Sequence, residues 1–575
     1  MKSRTLIKLV LFISIISMVI STASVIVASA SGAEGIPMDK TALAYVRAAK
    51  IVEESVVLTV GKDSTERNLA WFSSISAPGE VRLVEASDVV KGVFPKDYLS
   101  FSASSVTATN ALNRYAKKVT LSGLKENTEY AYMIVCGNYS GRIRYFKTGA
   151  PGSSYDFVFV GDPQIESESH GNQWKDTLQK IEQNFSPEIL ISAGDQVCSP
   201  NDETQYGYFI NDELAGFALA PSVGPGHDSV GTSYGEHFNL PNLSTEYGVD
   251  ETTSNYWYTY KNTLFMHLNT CDNDFLYNGE HKAFISEAMA ANKDVKWTFL
   301  ITHRAPFSTG KHGGVSKFSL HLSALATEMD IDVVLSGHDH VYVRTPMLVN
   351  EEISDDVVEN DTVVNPTGVL YITASSSTGS KYYDKLVKDD YFVAKENYEK
   401  RKSAIKFEIT DAAIKMTSYF LDDMSIFDTF TIEHVCTLDS VEEIPATCKH
   451  EGKRAYYECS CGKAYEDADG KVLISDLETW GVIAKKDTHT PMADDGDCTT
   501  AIICSVCNEV TTPASTAHLD ANKDGNCDAC SYAFPGSSES SFGLIVGIVI
   551  GSVGFVCIVA FVVFKFVIKK KTISK

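Results

Sequence analysis

Carboxylate and imidazole side chains follow several apolar runs in the middle of the chain. These candidate metal ligands are Asp162 with Gln164 in FVFVGDPQ, Asp195 in ILISAGDQV, His303 in TFLITHRAP, and His338 and His340 in VVLSGHDH. The apolar runs are typical of strands buried on both faces. Because ligands gather at the carboxyl ends of the strands in open α/β sheets, we expect these side chains to meet at one rim. Such a mixture of donors favours Zn, Mn or Fe.

The elements that must position these residues indicate an α/β layered domain over residues 155–435. The runs YDFVFV, EILISA, KWTFLI, DVVLS and GVLYITA are separated in several places by helix-like stretches such as WKDTLQKIEQNF and HKAFISEAMAAN. A β-rich piece that begins with SAIKFEIT closes the domain. In front of it, residues 54–150 contain short alternating strands with turn residues at fairly even spacing, which predicts a small β-sandwich.

In their order, these motifs resemble the calcineurin-like metallophosphoesterases. The series is G-D, G-D, H-[DE], H and G-H-x-H, and NYWYTYKNTLFMHLNT, WTFLITHRAPFSTGKHGG and LSGHDHVYVRTP are similar to purple acid phosphatases. VTLSGLKENTEYAYMIV resembles a fibronectin type III-like module, and a sandwich in front of the catalytic domain matches that family too. The resemblance covers about 54–435 and implies an αββα sandwich that holds two metal ions.

The resemblance also implies a role for each candidate ligand. Asp162 and His340 would bind the first metal, and Asp195 would bind both metals. His303 and His338 would bind the second metal. Gln164 would be a weak ligand of the first metal or a supporting hydrogen-bond donor. Two such metals would activate water as hydroxide for attack on phosphorus.

Further residues are implied to act on the substrate. His227 would be the general acid, oriented by Asp228. His312 and Arg304, with Lys311 nearby, would contact the substrate phosphate, and the alternative is that these three are solvated loop residues.

Three positions depart from the family pattern. Gln164 stands where related phosphoesterases often have histidine. Family members carry Asn, a ligand of the second metal, directly before the loop histidine, and this chain has Gly226 in APSVGPGHDSVG. We expect weaker binding of the second metal, with water in place of the missing ligand. Cys198 stands where purple acid phosphatases have the tyrosine that colours ferric iron, so we expect a colourless enzyme with Zn, Mn or Fe(II).

The two ends of the chain predict a surface protein. Residues 1–30 have a basic start, an apolar stretch and small residues at the end, which is typical of a cleaved signal peptide. Residues 542–564 carry no charge and are long enough to cross a bilayer, and the basic segment 565–575 is expected to be cytoplasmic. We therefore expect a single-pass membrane protein with an extracellular catalytic domain. The net charge of −24 argues against binding to nucleic acid.

The region 436–534 holds nine of the thirteen cysteines. Two small related modules are expected, at 446–471 and 497–532. The spacing at 459/461, 504/507 and 527/530 fits structural zinc, with His450, His489 and His518 available, but outside the cell disulfides are the alternative. The run DANKDG at 520–525 is interpreted as a turn rather than a calcium loop. The whole region is interpreted as a spacer or adhesion module.

The sequence thus predicts a cell-surface, metal-dependent, acid phosphatase-like hydrolase of phosphate monoesters. A nucleotidase or phosphodiesterase is an alternative because the same dinuclear site serves both. The other alternative is a catalytically silent surface binding or adhesion protein, which the loss of a ligand at Gly226 would explain. The sequence predicts neither the natural substrate nor the oligomeric state.

Overall fold

The computed structural model describes residues 50–250, 253–388, 390–435, 437–459 and 463–535. The predicted signal peptide at 1–30, membrane helix at 542–564 and cytoplasmic tail at 565–575 lie outside the described residues. Within the described part of the chain, no helix combines the length and apolarity needed to cross a membrane.

The first domain is a β-sandwich of two four-stranded arrays. Its strands are β1 (Glu54–Val60), β2 (Arg67–Ser73), β3 (Gly79–Glu85), β4 (Leu99–Ser102), β5 (Ser104–Thr107), β6 (Tyr115–Leu121), β7 (Glu129–Cys136) and β8 (Tyr139–Lys147). One array has the order β1-β2-β6-β5 and the other β4-β3-β7-β8. Alternate residues of β2 and β7, including Leu69, Trp71 and Tyr132, are buried between the arrays, as the period of two in a strand requires.

The second domain is built on two large sheets. Its strands are β9 (Tyr155–Val160), β10 (Ile189–Ser192), β11 (Leu219–Pro221), β12 (Tyr256–Tyr260), β13 (Thr263–Leu268), β14 (Trp297–Thr302), β15 (Val333–Ser336), β16 (Tyr342–Arg344), β17 (Leu348–Val349), β18 (Glu352–Ile353), β19 (Val358–Glu359), β20 (Thr362–Val364), β21 (Leu370–Thr373), β22 (Lys395–Asn397), β23 (Ser403–Ile409), β24 (Ala413–Phe420) and β25 (Ile426–Glu433). One sheet has the order β19-β20-β25-β24-β23-β9-β10-β11 and continues into β1-β2-β6-β5 of the sandwich, and the other has the order β12-β13-β14-β15-β21-β16-β22. The junction is a parallel pairing of β1 with β11, so the two domains share one hydrogen-bonded sheet.

Aromatic side chains fill the space between these two sheets. Phe157 of β9 stacks on Phe407 with ring centroids 4.6 Å apart, and it meets Phe265 and Phe299 of the opposite sheet edge-on at 5.4 and 5.3 Å. Neighbouring residues of β9 point the other way and pack against helices. The apolar run of β9 is therefore buried on both faces, as its composition predicts.

Helices cover the outer faces of both sheets. They are α1 (Glu168–Asn184), α2 (Glu203–Phe209), α3 (Ser233–His237), α4 (Asp274–Tyr277), α5 (Glu280–Ala291) and α6 (Lys317–Glu328), with 3₁₀ turns at Ala86–Asp88 and Leu214–Gly216. The long helix α1 begins at the N-cap Ser167 and buries Trp174, Leu178 and Ile181, which lie on one face at helical spacing. Helices α5 and α6 pack on the other sheet. The layers are thus helix, sheet, sheet and helix.

The cysteine-rich region divides between two compact units. The first unit extends to residue 441 and includes 456–478, and the second comprises 442–455 and the residues from 479 onward. The strands of the cysteine-rich region are β26 (Leu438–Val441), β27 (Gly452–Lys453), β28 (Tyr456–Cys459), β29 (Ala464–Tyr465), β30 (Leu473–Ile474), β31 (Val482–Ile483), β32 (Ile502–Ile503) and β33 (Val510–Thr512). Strands β26, β28, β29 and β30 form one sheet of the first unit.

This division differs from the two modules predicted at 446–471 and 497–532. Cys459, expected to be a zinc ligand, is disulfide-bonded, and Cys461 lies outside the described residues. His450 lies on an exposed turn where its backbone N–H donates to Thr447 Oγ1, and it belongs to neither group of cysteine and histidine side chains that converge in the described residues. A spacing rule finds pairs of neighbouring cysteines, but it cannot find partners that the chain brings together from far apart.

Candidate metal centre

The predicted ligands lie at the ends of four buried parallel strands. Asp162 and Asp195 follow β9 and β10, which pair in parallel in one sheet. His303 and His338 follow β14 and β15, which pair in parallel in the other. Because the two sheets pack face to face over the aromatic core, their carboxyl ends meet and form one rim.

Three of these residues form a compact cluster. Asp162, Asp195 and His303 are buried, and each offers a ligand atom within 4.8 Å of the others. The Nε2 atom of His303 lies 3.4 Å from Asp195 Oδ1 and 3.1 Å from Nδ1 of His338. On the other side, His340 Nε2 lies 3.4 Å from Asp162 Oδ2. The structure therefore brings all five predicted carboxylate and imidazole ligands together.

The backbone of the rim is held in an uncommon conformation. Gln164, Asp195, His338 and His340 have φ values of 39°, 52°, 70° and 47°. Non-glycine residues with positive φ cost about 1–3 kcal/mol each and concentrate at functional sites. The turn before His338 approaches Asp162 so closely that only glycine fits at position 337, because a Cβ there would lie 2.2 Å from Asp162 Oδ1. The rim thus turns sharply so that several donors face one point.

Several donor atoms of the cluster have no hydrogen-bond partner. Asp162 Oδ2, Asp195 Oδ1 and His340 Nδ1 are buried and unpaired, which is costly unless another group binds them. In contrast, His303 Nδ1 lies 3.0 Å from the carbonyl oxygen of Ala193. That hydrogen bond places the proton on Nδ1 and leaves the Nε2 lone pair directed at the cluster, as in histidines that bind metals.

The electrostatics of the cluster fit a bound cation. Burial raises the pKa of Asp162 to about 7 and the pKa of Asp195 well above its usual range. Burial and neighbouring positive groups lower the pKa of His338 and of His340 to about 3, and burial lowers the pKa of His303 strongly. The carboxylates thus lack a counter-charge while the imidazoles remain neutral. Metal ions would supply that charge and bind the unpaired donors, so the residues fit a metal centre.

Gln164 and His227 meet at the edge of this cluster. Gln164 Nε2 donates to Asp195 Oδ2 at 3.2 Å and lies 3.0 Å from His227 Nε2. His227 Nδ1 lies 2.5 Å from the carbonyl oxygen of Cys198. Since a carbonyl only accepts, Nδ1 carries a proton, and Nε2 faces the metal cluster, 3.9 Å from Asp195 Oδ2.

Asp228, predicted to orient His227, bonds the backbone of the loop. The buried Asp228 carboxylate accepts backbone N–H bonds from Gln196 at 3.0 Å and from Gly224 at 2.9 Å. These bonds fix the loop backbone, and the carbonyl oxygen of Cys198 holds the His227 ring.

The predicted phosphate-binding residues lie beside the cluster. The ring of His312 is 4.7 Å from that of His338 and 5.8 Å from that of Tyr383. Arg304 follows His303 directly, its Nε is buried without a partner, and its charge contributes to the lowered pKa of His338. Lys311 Nζ lies 5.6 Å from the centre of the Tyr383 ring.

Lys381 and Tyr383 are site residues that the motifs did not identify. Lys381 Nζ lies 5.2 Å from the centre of the Tyr383 ring, and its charge opposes the raised pKa values of Asp162 and Asp195. Tyr383 also packs edge-on against His340, with centroids 5.2 Å apart. Both residues lie on the segment after β21. The predicted strand GVLYITA was therefore the available signal, since its carboxyl end had to reach the same rim.

Comparisons with known proteins agree with this geometry. Residues 53–148 match the family model of the purple acid phosphatase N-terminal domain, and residues 155–342 match that of the calcineurin-like phosphoesterases. No curated protein sequence matches the chain. The predicted resemblance is thus confirmed for both domains, and residues 155–342 are similar to the calcineurin-like phosphoesterases.

Solved structures resemble the chain at low sequence identity. The purple acid phosphatase PPD1 from yellow lupin (Lupinus luteus) seeds has a TM-score of 0.53 and 15% identity, with 67% of this chain and 75% of that chain covered. A structure of PhoD has a TM-score of 0.45 and 12% identity, with 75% and 94% covered. The first similarity supports the fold, and the second is too weak to do so.

Proposed function

We propose that the chain is a metal-dependent hydrolase of phosphate monoesters that acts at the cell surface. The observation that carries the proposal is the buried cluster of Asp162, Asp195 and His303 where two sheets meet, in which one oxygen of each carboxylate has no hydrogen-bond partner. Such a cluster is costly to the fold unless it binds cations. Because the same residues match a phosphoesterase family, the bound cations would serve in the hydrolysis of phosphate esters.

The residues that would hold two metals are those that converge on the rim. Asp195 is central, since its two oxygens face His303 on one side and Gln164 on the other. Asp162 and His340 lie together, as do His303 and His338. A metal pair supplies charge stabilisation for the phosphoryl oxygens and makes a bound water acidic enough to serve as the nucleophile near neutral pH.

His227 is positioned to supply the proton that a leaving alcohol oxygen needs. Its Nδ1–H bond to the Cys198 carbonyl oxygen holds the ring, and its Nε2 faces the cluster. The side chain is 32% exposed, so an alcohol of varied size has access to this edge. General acid catalysis of this kind contributes about 10²–10⁴-fold to the rate.

Positive side chains also lie close to the cluster. Arg304, Lys311 and Lys381 lie near the rings of His338 and Tyr383. Phosphate oxygens that do not contact the metals would bind these groups, which favours a doubly charged monoester over a singly charged diester.

The location at the cell surface rests on the two ends of the chain. The signal-peptide pattern at 1–30 and the uncharged segment 542–564 with its basic flank support export followed by single-pass anchoring. Digestion of intact cells with an added protease tests this part of the proposal. Cleavage of the catalytic domain without cell lysis is expected, and full protection would contradict it.

The catalytic proposal is tested with the full-length chain and an aryl phosphate monoester. Zn, Mn or Fe is supplied, and wild type is compared with His303→Ala, His227→Ala and the control His321→Ala. His321 is an exposed histidine of α6 that contacts Tyr277 and is not one of the ligands that the structure brings together at the rim. Turnover should fall strongly in the first two variants and persist in the control.

Two results would redirect the proposal. Faster hydrolysis of a bis-aryl phosphate than of the monoester would indicate a phosphodiesterase. Absence of turnover by wild type with every metal, while metal still binds, would indicate the silent binding protein that Gly226 suggested.

A further inference from the structure

Two sets of cysteine and histidine side chains lie in the second compact unit. The first set is Cys448, His489, Cys504 and Cys507, and the second is Cys498, His518, Cys527 and Cys530. In each set, the four ligand atoms lie within 4.8 Å of one another. None of these cysteines is in a disulfide. Each set therefore offers three sulfur atoms and one imidazole nitrogen to a common point.

The distances within the sets match a metal tetrahedron. Cys448 Sγ and Cys504 Sγ are 3.6 Å apart, as are Cys498 Sγ and Cys527 Sγ. A disulfide would need about 2.0 Å, whereas Zn–S bonds of about 2.3 Å in a tetrahedron give an S···S edge of about 3.8 Å. The nitrogen–sulfur edges agree, since His489 Nδ1 lies 3.1 Å from Cys507 Sγ.

The second set repeats this arrangement. His518 Nδ1 lies 3.4 Å from Cys498 Sγ and 3.4 Å from Cys530 Sγ. The imidazole nitrogen thus occupies one vertex of each tetrahedron, and the sulfur atoms occupy the others.

Each histidine is also held from behind by a carboxylate. His489 Nε2 lies 3.2 Å from Glu509 Oε2, and His518 Nε2 lies 3.5 Å from Asp497 Oδ1. Metal-binding histidines characteristically donate their second N–H to a carboxylate, which fixes the ring and makes the ligand nitrogen more basic. Both sets show this feature independently, although their sequences differ.

The unit that contains both sets lacks an ordinary hydrophobic core. Among its described residues, 442–455 and 479–535, the buried apolar side chains are Ala446, Cys504 and Cys527. A unit of this size needs disulfides or metals when apolar burial is small. Two of its three buried apolar residues are cysteines of the two sets, one from each. The metal-binding residues therefore occupy the place of the core.

The two sets are interleaved along the chain. Cys498 of the second set lies between His489 and Cys504 of the first. A metal in the first set closes a loop that contains a ligand of the second, so each ion restrains the chain that forms the other site.

We propose that residues 442–455 and 479–535 form a two-zinc module whose fold depends on a Cys₃His site at each set. Zinc is the cation that this sulfur-rich tetrahedral donor set favours, and a site with four protein ligands is structural rather than catalytic. The proposal is independent of the activity of the phosphoesterase domain.

Zinc release from the full-length chain tests the proposal. A thiol-modifying reagent added to the purified protein is expected to release two Zn²⁺ per chain, detected with a colorimetric chelator. The rim site contains no thiolate among its ligands, so its metals do not respond to this reagent. His489→Ala and His518→Ala should each lower the released zinc, and Cys504→Ser/Cys507→Ser should abolish the release from the first site.

The matched control is His450→Ala, which removes an exposed histidine two residues from Cys448 and should leave the released zinc at two per chain. Replacement by Co²⁺ gives a second readout, because tetrahedral cobalt thiolates absorb strongly in the visible range. Each histidine variant should lose part of that absorption even where the chain still folds. Disulfides Cys448–Cys504 or Cys498–Cys527 in the native protein, or unchanged zinc release in His489→Ala, would overturn the proposal.

Discussion

The two candidate metal-binding regions of this chain are the rim cluster of carboxylates and histidines and the pair of cysteine and histidine sets in the second unit. They are built in opposite ways. The rim cluster lies at the ends of strands that have their own hydrophobic core, centred on Phe157 and Phe407, and that core contains none of the rim ligands. In the second unit, Cys504 and Cys527 are themselves buried residues and few apolar residues accompany them. At the rim, where a separate hydrophobic core holds the ligands in place, we expect loss of the metal to abolish function. In the second unit, where the ligands themselves make up most of the buried residues, we expect loss of the metal to abolish the fold.

The largest effect is expected from a change at the centre of the rim. Asp195→Asn removes the negative charge shared by both halves of the cluster while keeping the side chain's shape. We expect kcat/KM for an aryl phosphate to fall by at least about 1,000-fold, since metal-dependent charge stabilisation contributes several kcal/mol. The thermal unfolding transition of the phosphoesterase domain should persist, because its aromatic core is unchanged.

Asp332→Asn is the matched control for this variant. Asp332 is a half-buried carboxylate directly before β15, with 16% of its side chain exposed, and it accepts the Thr298 N–H at 2.7 Å. It therefore lies at the amino end of the strand whose carboxyl end leads to His338. Near-normal turnover is expected, and a loss equal to that of Asp195→Asn would show that burial of any carboxylate in this sheet matters, rather than its place on the rim.

The second prediction concerns removal of metals from the whole protein. A strong chelator should abolish the protection of backbone amides from hydrogen exchange across 442–455 and 479–535. Without the metals, the apolar core of this unit is too small to keep it folded. Protection of β9, β10, β14 and β15 should change little, apart from the turns that carry the ligands. Equal loss in both regions, or in neither, would remove the contrast between them.

The regular parts of the fold were predictable because burial leaves a direct trace in the sequence. The apolar runs before Asp162, Asp195, His303 and His338 marked strands covered on both faces, and their carboxyl ends gave the rim. The parallel pairing of β1 with β11 was not predictable, since nothing in either strand's pattern specifies a partner from another domain.

The limits were similar at the two metal-binding regions. Lys381 lies in a segment without a recognised motif, and only the position of β21 connects it to the rim. In the second unit, the pairs 504/507 and 527/530 were visible from spacing, whereas their partners Cys448 and Cys498 are distant in sequence. Local patterns identify ligands, and tertiary structure assigns them to a site.

A smaller effect is expected at Asp228, which stabilises the loop beside the rim. Asp228→Ala leaves the buried backbone N–H groups of Gln196 and Gly224 without their acceptor. We expect the free energy of unfolding to fall by about 1–3 kcal/mol, measured by denaturant titration. Asp228→Asn retains one acceptor oxygen and should lose less. If both variants keep wild-type stability but lose turnover, the carboxylate acts in catalysis rather than in fixing the loop.

The mildest change tests whether Gly226 marks a missing ligand. Gly226 has a φ of +77°, and a Cβ there would meet no atom within 4 Å. Asn tolerates this conformation better than most residues, so Gly226→Asn should fold normally. We expect the metal concentration for half-maximal turnover to fall by at least about tenfold, a size typical of changes around metal sites. Gly224→Ala is the contrasting variant, since a Cβ there would lie 1.8 Å from Asp195 Oδ1 and should impair turnover. An unchanged metal dependence in Gly226→Asn would place residue 226 outside the coordination sphere, and the loop would then bind the second metal without help from this position.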